Sequence, residues 1–417
     1  MPSNDKFESR EGLLDLHLAK KLFNPNRTPI YQGLFGGILT GFAFGQGLTF
    51  IMPFGIAFLW PATSSFFGTF LWGALTFVIS HNWIFALHPI DWIGIPSSLS
   101  LTIVFFIFCV CAIISGGLVA IWGLIFKVPV ISELKEGGLK EKIVCCCLLS
   151  AIWGLGEVYL SKSPLFWIGT GANTLPGDIF LSGLSKWIGS GGLALIQMSI
   201  GFWLWNIYLF RKNLYVFKKI ILYGISSLLV LHFTGFILLL KGHNIDPYPI
   251  AIWQTNVPIR QKFNFENQLN IKKQLTQSLN YARNFGASVL VTPEGTLLDE
   301  NGINTIPEVS LITGGFRNYN GSKRSSLLVF ESKEKNYSKS IDKYRLVPLG
   351  EWIPEIFGFL NNGLSAVGGL KPGLPSRKLE WSGPAAAIAI CYEISDGNSI
   401  AQAVDRGAEW ILASSNL

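Results

Sequence analysis

A long, almost uncharged apolar stretch constrains this chain more than any other feature. Between Ile30 and Lys127 the only formally charged residue is Asp91. About 20 consecutive apolar residues suffice for one membrane crossing, so this stretch has room for several. Only 14% of all residues are charged, against about 25% in average soluble proteins. The sequence therefore predicts an integral membrane protein.

Charged residues return after Lys241, and this change divides the chain into three parts. Residues 1–30 are polar, carry no cleavable signal pattern and are predicted to form a cytoplasmic tail. Residues 31–241 are predicted to form a membrane domain of about seven helices, three of them between Tyr31 and Phe85. Residues 242–417 are predicted to form a globular domain. The other four helices are predicted over Leu99–Phe126, Ile143–Leu160, Leu181–Phe210 and Val216–Leu240.

Positive charges concentrate in two of the loops between these predicted helices. They are Lys127, Lys135, Lys140 and Lys142 in one loop, and Arg211, Lys212, Lys218 and Lys219 in the other. Loops rich in Lys and Arg remain on the cytoplasmic side of a membrane. The last helix then leads away from the cytoplasm, so residues 242–417 are predicted to be extracytoplasmic. The net charge of +7 forms no basic stripe interleaved with aromatic residues, and a nucleic acid is not an expected partner.

Short strand patterns alternate with helical patterns after Lys241, which indicates an α/β domain. Helices are predicted over Asn264–Phe285 and Ser399–Arg406. The predicted strands are Ala251–Val257, Val289–Val291, Ser310–Gly315, Ser325–Glu331, Ser338–Val347, Ala385–Ile390 and Trp410–Ser414.

Cys391 directly follows the predicted strand Ala385–Ile390, and a buried strand that ends in polar residues brings a side chain to the edge of a pocket. No other cysteine follows Cys147, so Cys391 is either a buried structural thiol or a nucleophile. All five histidines lie at or before residue 243, which excludes a Cys-His, Ser-His-Asp or His-ligated zinc site built from the residues after it. The base for a nucleophilic Cys391 must then be a carboxylate or an amine.

Glu294 and Lys343 are the candidate partners of Cys391. Glu294 follows a predicted buried strand and a proline, and Lys343 stands near the end of another strand. A lone Glu in a turn or a lone Lys is more often an ordinary surface charge. Spacing alone leaves their roles open.

Three segments carry a resemblance to a known family: PEG at 293–295, DKYRLVPLGEWIP at 342–354 and AICYE at 389–393. In this order, after a multi-span domain, they resemble the apolipoprotein N-acyltransferase family, a membrane-anchored branch of the nitrilase superfamily. The resemblance implies an αββα sandwich with Glu294 as general base, Lys343 as oxyanion stabiliser and Cys391 as nucleophile. It implies supporting roles for Glu351, Tyr392, Glu393 and Phe263, the last of which stands where the family often has Trp.

The resemblance also implies a reaction and its partners. A phospholipid donates a fatty acyl chain to Cys391, and the resulting thioester passes it to the α-amino group of a diacylglyceryl-cysteine on an apolipoprotein. The expected partners are the phospholipid, the diacylated apolipoprotein and the bilayer, with no metal or cofactor, in a monomer at a bacterial inner membrane whose catalytic domain is periplasmic. Two alternatives are a membrane-tethered carbon–nitrogen hydrolase and a catalytically inactive, lipid-binding remnant.

Three further expectations concern segments near these motifs. The family's chain continues after the strand at 410–416, so the sandwich is expected to be incomplete at its C-terminus. The segment Trp352–Leu374 is predicted to be either a mobile flap over the acyl entrance or an ordinary packed loop. Glu157, at the end of an apolar span, is either a functional carboxylate or an interfacial residue.

Overall fold

The computed structural model describes residues 27–90, 95–162, 169–174, 177–240, 247–257, 265–298, 303, 305–347, 351–352 and 369–415. The chain divides into two compact units. The first comprises Met1–Pro89 and Ser97–His243, and the second comprises Ile90–Pro96 and Asn244–Leu417. The division at residue 243 falls beside the change in composition at Lys241.

The described part of the first unit is built from apolar helices. Its α-helices are α1 (Thr28–Gln46), α2 (Met52–Ala62), α3 (Phe66–Ser80), α4 (Ser97–Leu124), α5 (Pro129–Glu136), α6 (Leu139–Ser161), α7 (Ile179–Ser182), α8 (Ser185–Leu209) and α9 (Leu214–Leu240). Four of them, α4, α6, α8 and α9, are long and apolar enough to cross a membrane. The unit is therefore a helical membrane domain.

The helices of the first unit differ from the predicted spans in two places. The segment Tyr31–Phe85 contains three helices as predicted, but α2 and α3 have only 11 and 15 residues, too few to cross about 30 Å of hydrocarbon alone. The predicted span Leu181–Phe210 is divided into α7 and α8, and Gly189 interrupts α8 with a φ of 60°. The count of seven crossings stays a prediction.

Close backbone approaches hold the first helices together. An added Cβ at Gly37 of α1 lies 2.7 Å from the carbonyl oxygen of Trp72 in α3. Small residues allow such approaches, which stabilise helix pairs in a lipid environment where burial of apolar surface gives little. Nearby, the Trp122 ring packs edge to face against two others, with centroid distances of 5.8 Å to Trp60 and 5.1 Å to Trp153.

Glu157 of α6 is buried within the first unit. Its carboxylate accepts hydrogen bonds from the indole of Trp153 at 2.7 Å and from the backbone N–H and hydroxyl of Thr170 at 2.7 and 2.9 Å. The Gly171 N–H adds a fourth donor at 3.4 Å. Glu157 thus ties residues 170–171 to α6.

The described part of the second unit contains two β-sheets. Its strands are β1 (Ile250–Ile252), β2 (Val289–Val291), β3 (Ser310–Tyr319), β4 (Ser322–Phe330), β5 (Lys339–Asp342), β6 (Lys378–Leu379), β7 (Ala386–Ile390) and β8 (Trp410–Ser414). The five-stranded sheet has the order β1-β2-β3-β4-β5, parallel from β1 to β3 and antiparallel from β3 to β5. The three-stranded sheet has the order β6-β7-β8, with β7 and β8 parallel. The α-helices among the described residues of this unit are α10 (Phe265–Asn284) and α11 (Gly397–Asp405).

Alternating side chains assign each face of these sheets to a layer. One face of the larger sheet packs Leu290 and Leu311 against Leu279 of α10. Its other face packs against the smaller sheet, through Val289, Val291, Ile312, Leu327 and Val329 on one side and Ile388, Ile390 and Leu412 on the other. The outer face of the smaller sheet places Ala387 against α11. The layers are helix, sheet, sheet, helix, which confirms the predicted αββα class.

The outer face of the smaller sheet is only partly covered in the described part of the chain. Strand β8 pairs with β7, and α11 packs on β7 and β6. On the same face, the Ile411 side chain is 53% exposed. The strand limits Val289–Val291 and Trp410–Ser414 are those predicted, whereas the first strand is shorter than the predicted Ala251–Val257 and ends at Ile252.

Candidate active site

Glu294 stands in a turn that directly follows β2, a strand buried on both faces. The Thr292 N–H donates to the carbonyl of Ile312 at 2.9 Å, so the ladder extends to the start of the turn. Gly295 then reverses the chain with a φ of 62°. An added Cβ at Gly314 lies 2.4 Å from the Glu294 Cα, so β3 supports the turn at backbone distance.

Lys343 follows the last residue of β5, and its side chain is only 1% exposed. Its Nζ donates to Oε1 of Glu294 at 2.9 Å and to Oε1 of Glu351 at 2.7 Å. Burial alone lowers the pKa of Lys343, but the two carboxylates and Cys391 outweigh this effect and raise the pKa above its ordinary value. Lys343 is therefore a fixed ammonium ion at neutral pH.

Cys391 directly follows strand β7, all five residues of which are buried. It begins the short 3-10 helix Cys391–Ser395 and adopts a φ of 53°. A non-glycine residue in this left-handed region is uncommon, and such strain concentrates at functional sites. The turn presents a half-buried Sγ at the edge of the strand.

Burial and neighbouring charges act on the pKa of the Cys391 thiol in opposite directions. Burial raises its pKa, and Glu294 raises it further, while Lys343 lowers it and a hydrogen bond with Ser415 opposes the rise. The net effect is a pKa above the ordinary value for a thiol. Attack on a carbonyl therefore requires a group that takes the proton during the reaction, and Glu294 is a carboxylate close enough to raise the pKa of the thiol.

Glu351 and Glu393 accept hydrogen bonds from backbone N–H groups and from charged side chains of the site. Glu351 bonds Lys343 through one oxygen and accepts the Val347 N–H at 2.9 Å through the other. Glu393 is buried and accepts N–H donors on both sides of the site, from Tyr344 at 2.6 Å and from Ile390 at 2.9 Å.

The remaining predicted residues have different outcomes. The Tyr392 ring lies under the guanidinium of Arg345, 4.6 Å from the ring centroid, so this face of the ring holds a neighbouring loop residue. Phe263 lies outside the described residues, and so does 353–368, most of the predicted flap. The structure brings Glu294, Lys343, Glu351, Cys391 and Glu393 together.

Sequence reasoning missed Arg377. Its side chain is 1% exposed and forms an ion pair with Glu393 at 2.8 Å. In the sequence Arg377 is followed by Lys378, whose side chain is 22% exposed and pairs with Glu380. No local signal separates these two adjacent cations. Among the residues that the structure describes, no group of three or more His, Cys, Asp or Glu side chains is arranged to hold a metal ion.

The fold and the site together define an αββα sandwich with a Glu, a Lys and a Cys at the ends of its strands. The chain is 43% identical over 385 residues to the apolipoprotein N-acyltransferase of one Prochlorococcus marinus strain, covering 92% of this chain and 78% of that protein. It is 43% identical over 407 residues to the enzyme of the same name from P. marinus subsp. pastoris, covering 96% and 80%. This chain belongs to the apolipoprotein N-acyltransferase family.

Other proteins in the comparisons share a lower sequence identity with this chain. The apolipoprotein N-acyltransferase of Synechocystis is 28% identical over 374 residues. Among solved structures, an amidase of the nitrilase superfamily from Nesterenkonia gives a TM-score of 0.30 at 15% identity, covering 42% of this chain and 68% of the amidase. No family model matches the chain.

Proposed function

We propose that this protein transfers a fatty acyl chain from a phospholipid to the α-amino group of the diacylglyceryl-cysteine of an apolipoprotein, through a thioester on Cys391. The observation that carries the proposal is the contact of Lys343 with both Glu294 and Glu351 next to the Cys391 thiol. The name shared by the relatives supports the choice of substrates, and four helices long enough to span a bilayer support a lipid donor.

The first half-reaction forms the thioester. Glu294 takes the proton from Cys391 as Sγ attacks the ester carbonyl of the phospholipid. The carbonyl oxygen becomes an oxyanion, which the ammonium group of Lys343 stabilises. The carbon–oxygen ester bond then breaks, Glu294 returns the proton to the departing alcohol, and a lysophospholipid leaves.

The second half-reaction transfers the acyl chain. The neutral α-amino group of the lipoprotein attacks the thioester carbonyl, and Glu294 accepts one of its protons. The carbon–sulfur bond breaks as the amide forms, and the proton passes to the Cys391 thiolate. Both half-reactions use the same base and cation, as expected for a ping-pong mechanism. Glu351 keeps Lys343 charged, and Glu393 fixes the backbone beside Lys343 and beside Cys391.

Acyl transfer is tested with purified full-length protein, a phospholipid labelled in its acyl chain and a diacylated lipopeptide. We expect label on the peptide amine, a labelled thioester on the Cys391 peptide in mass spectrometry when the acceptor is omitted, and neither with Cys391→Ser. Label found only as free fatty acid contradicts the transferase proposal and indicates the hydrolase. An unlabelled, unreactive Cys391 indicates an inactive binding protein.

We also propose the location of the protein in the cell. The lysine- and arginine-rich loops near residues 127–142 and 211–219 support a multi-pass protein of a bacterial inner membrane whose second unit is periplasmic. The enzyme is proposed to act as a monomer, because each of the catalytic groups comes from one chain.

A further inference from the structure

Arg377 lies buried directly before β6 and makes four contacts, three of them with the segments that carry Lys343 and Cys391. Its Nη1 donates to Oε2 of Glu393 at 2.8 Å, and its Nη2 donates to the carbonyl of Asp342 at 2.8 Å and to that of Leu374. Its guanidinium also lies over the Tyr344 ring, 4.6 Å from the centroid. A buried cation with this many partners fixes the relative position of each of them.

Two of these partners are the neighbours of Lys343 in the chain. Asp342 precedes Lys343 and Tyr344 follows it, so Arg377 holds the main chain on one side and the ring on the other. The Tyr344 N–H donates to Glu393, which completes a closed path through Arg377. The backbone that carries Lys343 is therefore held at both of its ends by the Arg377–Glu393 pair.

The same pair holds the turn that carries Cys391. The Oε2 atom of Glu393 that bonds Arg377 also accepts the N–H of Ile390, the residue before Cys391, at 2.9 Å. Cys391 adopts a φ of 53°, a conformation that persists only where neighbouring contacts fix it. One carboxylate oxygen thus joins the strained nucleophile turn to the residue that holds the Lys343 segment.

We propose that Arg377 is a positioning residue that sets the distance between the Lys343 ammonium group and the Cys391 sulfur through Glu393, without touching a substrate. This rests on the proposed role of Cys391 as the nucleophile. The two catalytic residues come from β5 and β7, strands of different sheets, and the ion pair connects the ends of these strands across the sandwich.

The proposal predicts a change in thiol chemistry, and not only in stability. Lys343 lowers the pKa of Cys391, and this effect depends on their separation. In Arg377→Met, Glu393 loses its cation, the two segments separate, and the thiolate loses part of its stabilisation. We expect the pH profile of Cys391 alkylation to move upward by about one unit, which slows alkylation about tenfold at a fixed pH below the midpoint. Arg377→Lys keeps the positive charge but not the planar guanidinium group. We expect its pH profile to fall between those of the wild type and Arg377→Met.

The measurement is the rate of iodoacetamide alkylation of the Cys391 peptide as a function of pH, followed by mass spectrometry in full-length protein. Peptide-level detection separates Cys391 from the five cysteines of the membrane unit. Leu328→Ala is the matched control, because Leu328 is fully buried against the α10 layer and its loss lowers the melting temperature without touching the site. Its alkylation profile is expected to match the wild type.

Two outcomes overturn the proposal. One is an Arg377→Met protein that melts earlier but retains the wild-type alkylation profile, which shows a structural role alone. If Arg377→Met does not fold, Glu393→Gln breaks the same ion pair with nearly the same shape, and an unshifted profile in this variant has the same meaning. The test needs no acyl donor. If the wild-type protein transfers no acyl group but Arg377→Met still shows the predicted shift relative to it, only the proposed function is contradicted.

Discussion

At the scale of single residues, the site separates two tasks that one group cannot perform together. Lys343 is kept protonated by Glu294 and Glu351, so in the proposed mechanism it is available to an oxyanion throughout the reaction. Burial and the same carboxylates raise the pKa of Cys391, so in that mechanism the reactive thiolate forms only when Glu294 takes its proton. A resting thiol is also less readily oxidised than a thiolate, which suits the extracytoplasmic position proposed for this unit.

Glu294→Gln is expected to have opposite effects on two measurements. Loss of the base lowers acyl transfer by about 10²- to 10⁴-fold. Loss of the negative charge lowers the pKa of Cys391 because Glu294 raises it in the wild type, so iodoacetamide alkylation at neutral pH becomes faster. Both rates are measured on the same preparation. Slower alkylation in Glu294→Gln contradicts this account, since it shows that Glu294 already activates the resting thiol.

At the scale of single elements, the ends of strands determine where the side chains of the proposed catalytic site meet. Strands β2, β5 and β7 end at Glu294, Lys343 and Cys391 or within a few residues of them. Strand β3 runs beside β2, and its glycine at 314 lets the Glu294 turn lie against the sheet. The position of the base thus depends on an adjacent strand that contributes no catalytic group.

Gly314→Ala is expected to impair catalysis through that contact. The added Cβ meets two backbone atoms, the Glu294 Cα and the Pro293 carbonyl oxygen, each at 2.4 Å. The turn must shift by about 1 Å, and displacements of this size reduce turnover by about 10²-fold. Gly397→Ala is the matched control because a Cβ there meets nothing within 4 Å. Steady-state transfer assays compare the two, and equal activities contradict the role assigned to β3.

The sequence allowed these strands to be predicted, but not the long-range contacts between the side chains at their ends. Val289–Val291 and Trp410–Ser414 were predictable because short apolar runs between turn residues are typical of buried strands. The joining of Glu294, Lys343 and Cys391 came from the resemblance and not from spacing, because each pair of neighbours in this set is separated by nearly fifty residues. Arg377 was not predictable, because its burial depends on an ion pair formed only after folding.

At the scale of the whole molecule, the uneven charge of the chain predicts its orientation in the membrane. The apolar helices carry few charges, and the loops with several lysines and arginines lie on one predicted side. Both substrates of the proposed reaction are lipids, so anchoring in a bilayer raises their concentration near the enzyme. The relatives that match this chain at 43% identity are covered over 78% and 80% of their length.

Labelling of single cysteines tests the predicted orientation. Lys335 of the second unit and Lys212 of a lysine- and arginine-rich loop are both exposed. In intact spheroplasts, a membrane-impermeant maleimide is expected to label Lys335→Cys but not Lys212→Cys, with the unsubstituted protein as background. After permeabilisation both variants become labelled. The reverse pattern in intact spheroplasts places the second unit in the cytoplasm and contradicts the charge-based prediction.

The left-handed backbone at Cys391 has a consequence for the improvement of this protein by laboratory evolution. Glycine is the residue that adopts such a conformation without steric cost. A screen that selects only for heat resistance is therefore expected to favour Cys391→Gly, the substitution that removes the proposed nucleophile. Variants of this enzyme then have to be selected for turnover and stability together, since the residue that fits the backbone best at this position cannot form the proposed thioester.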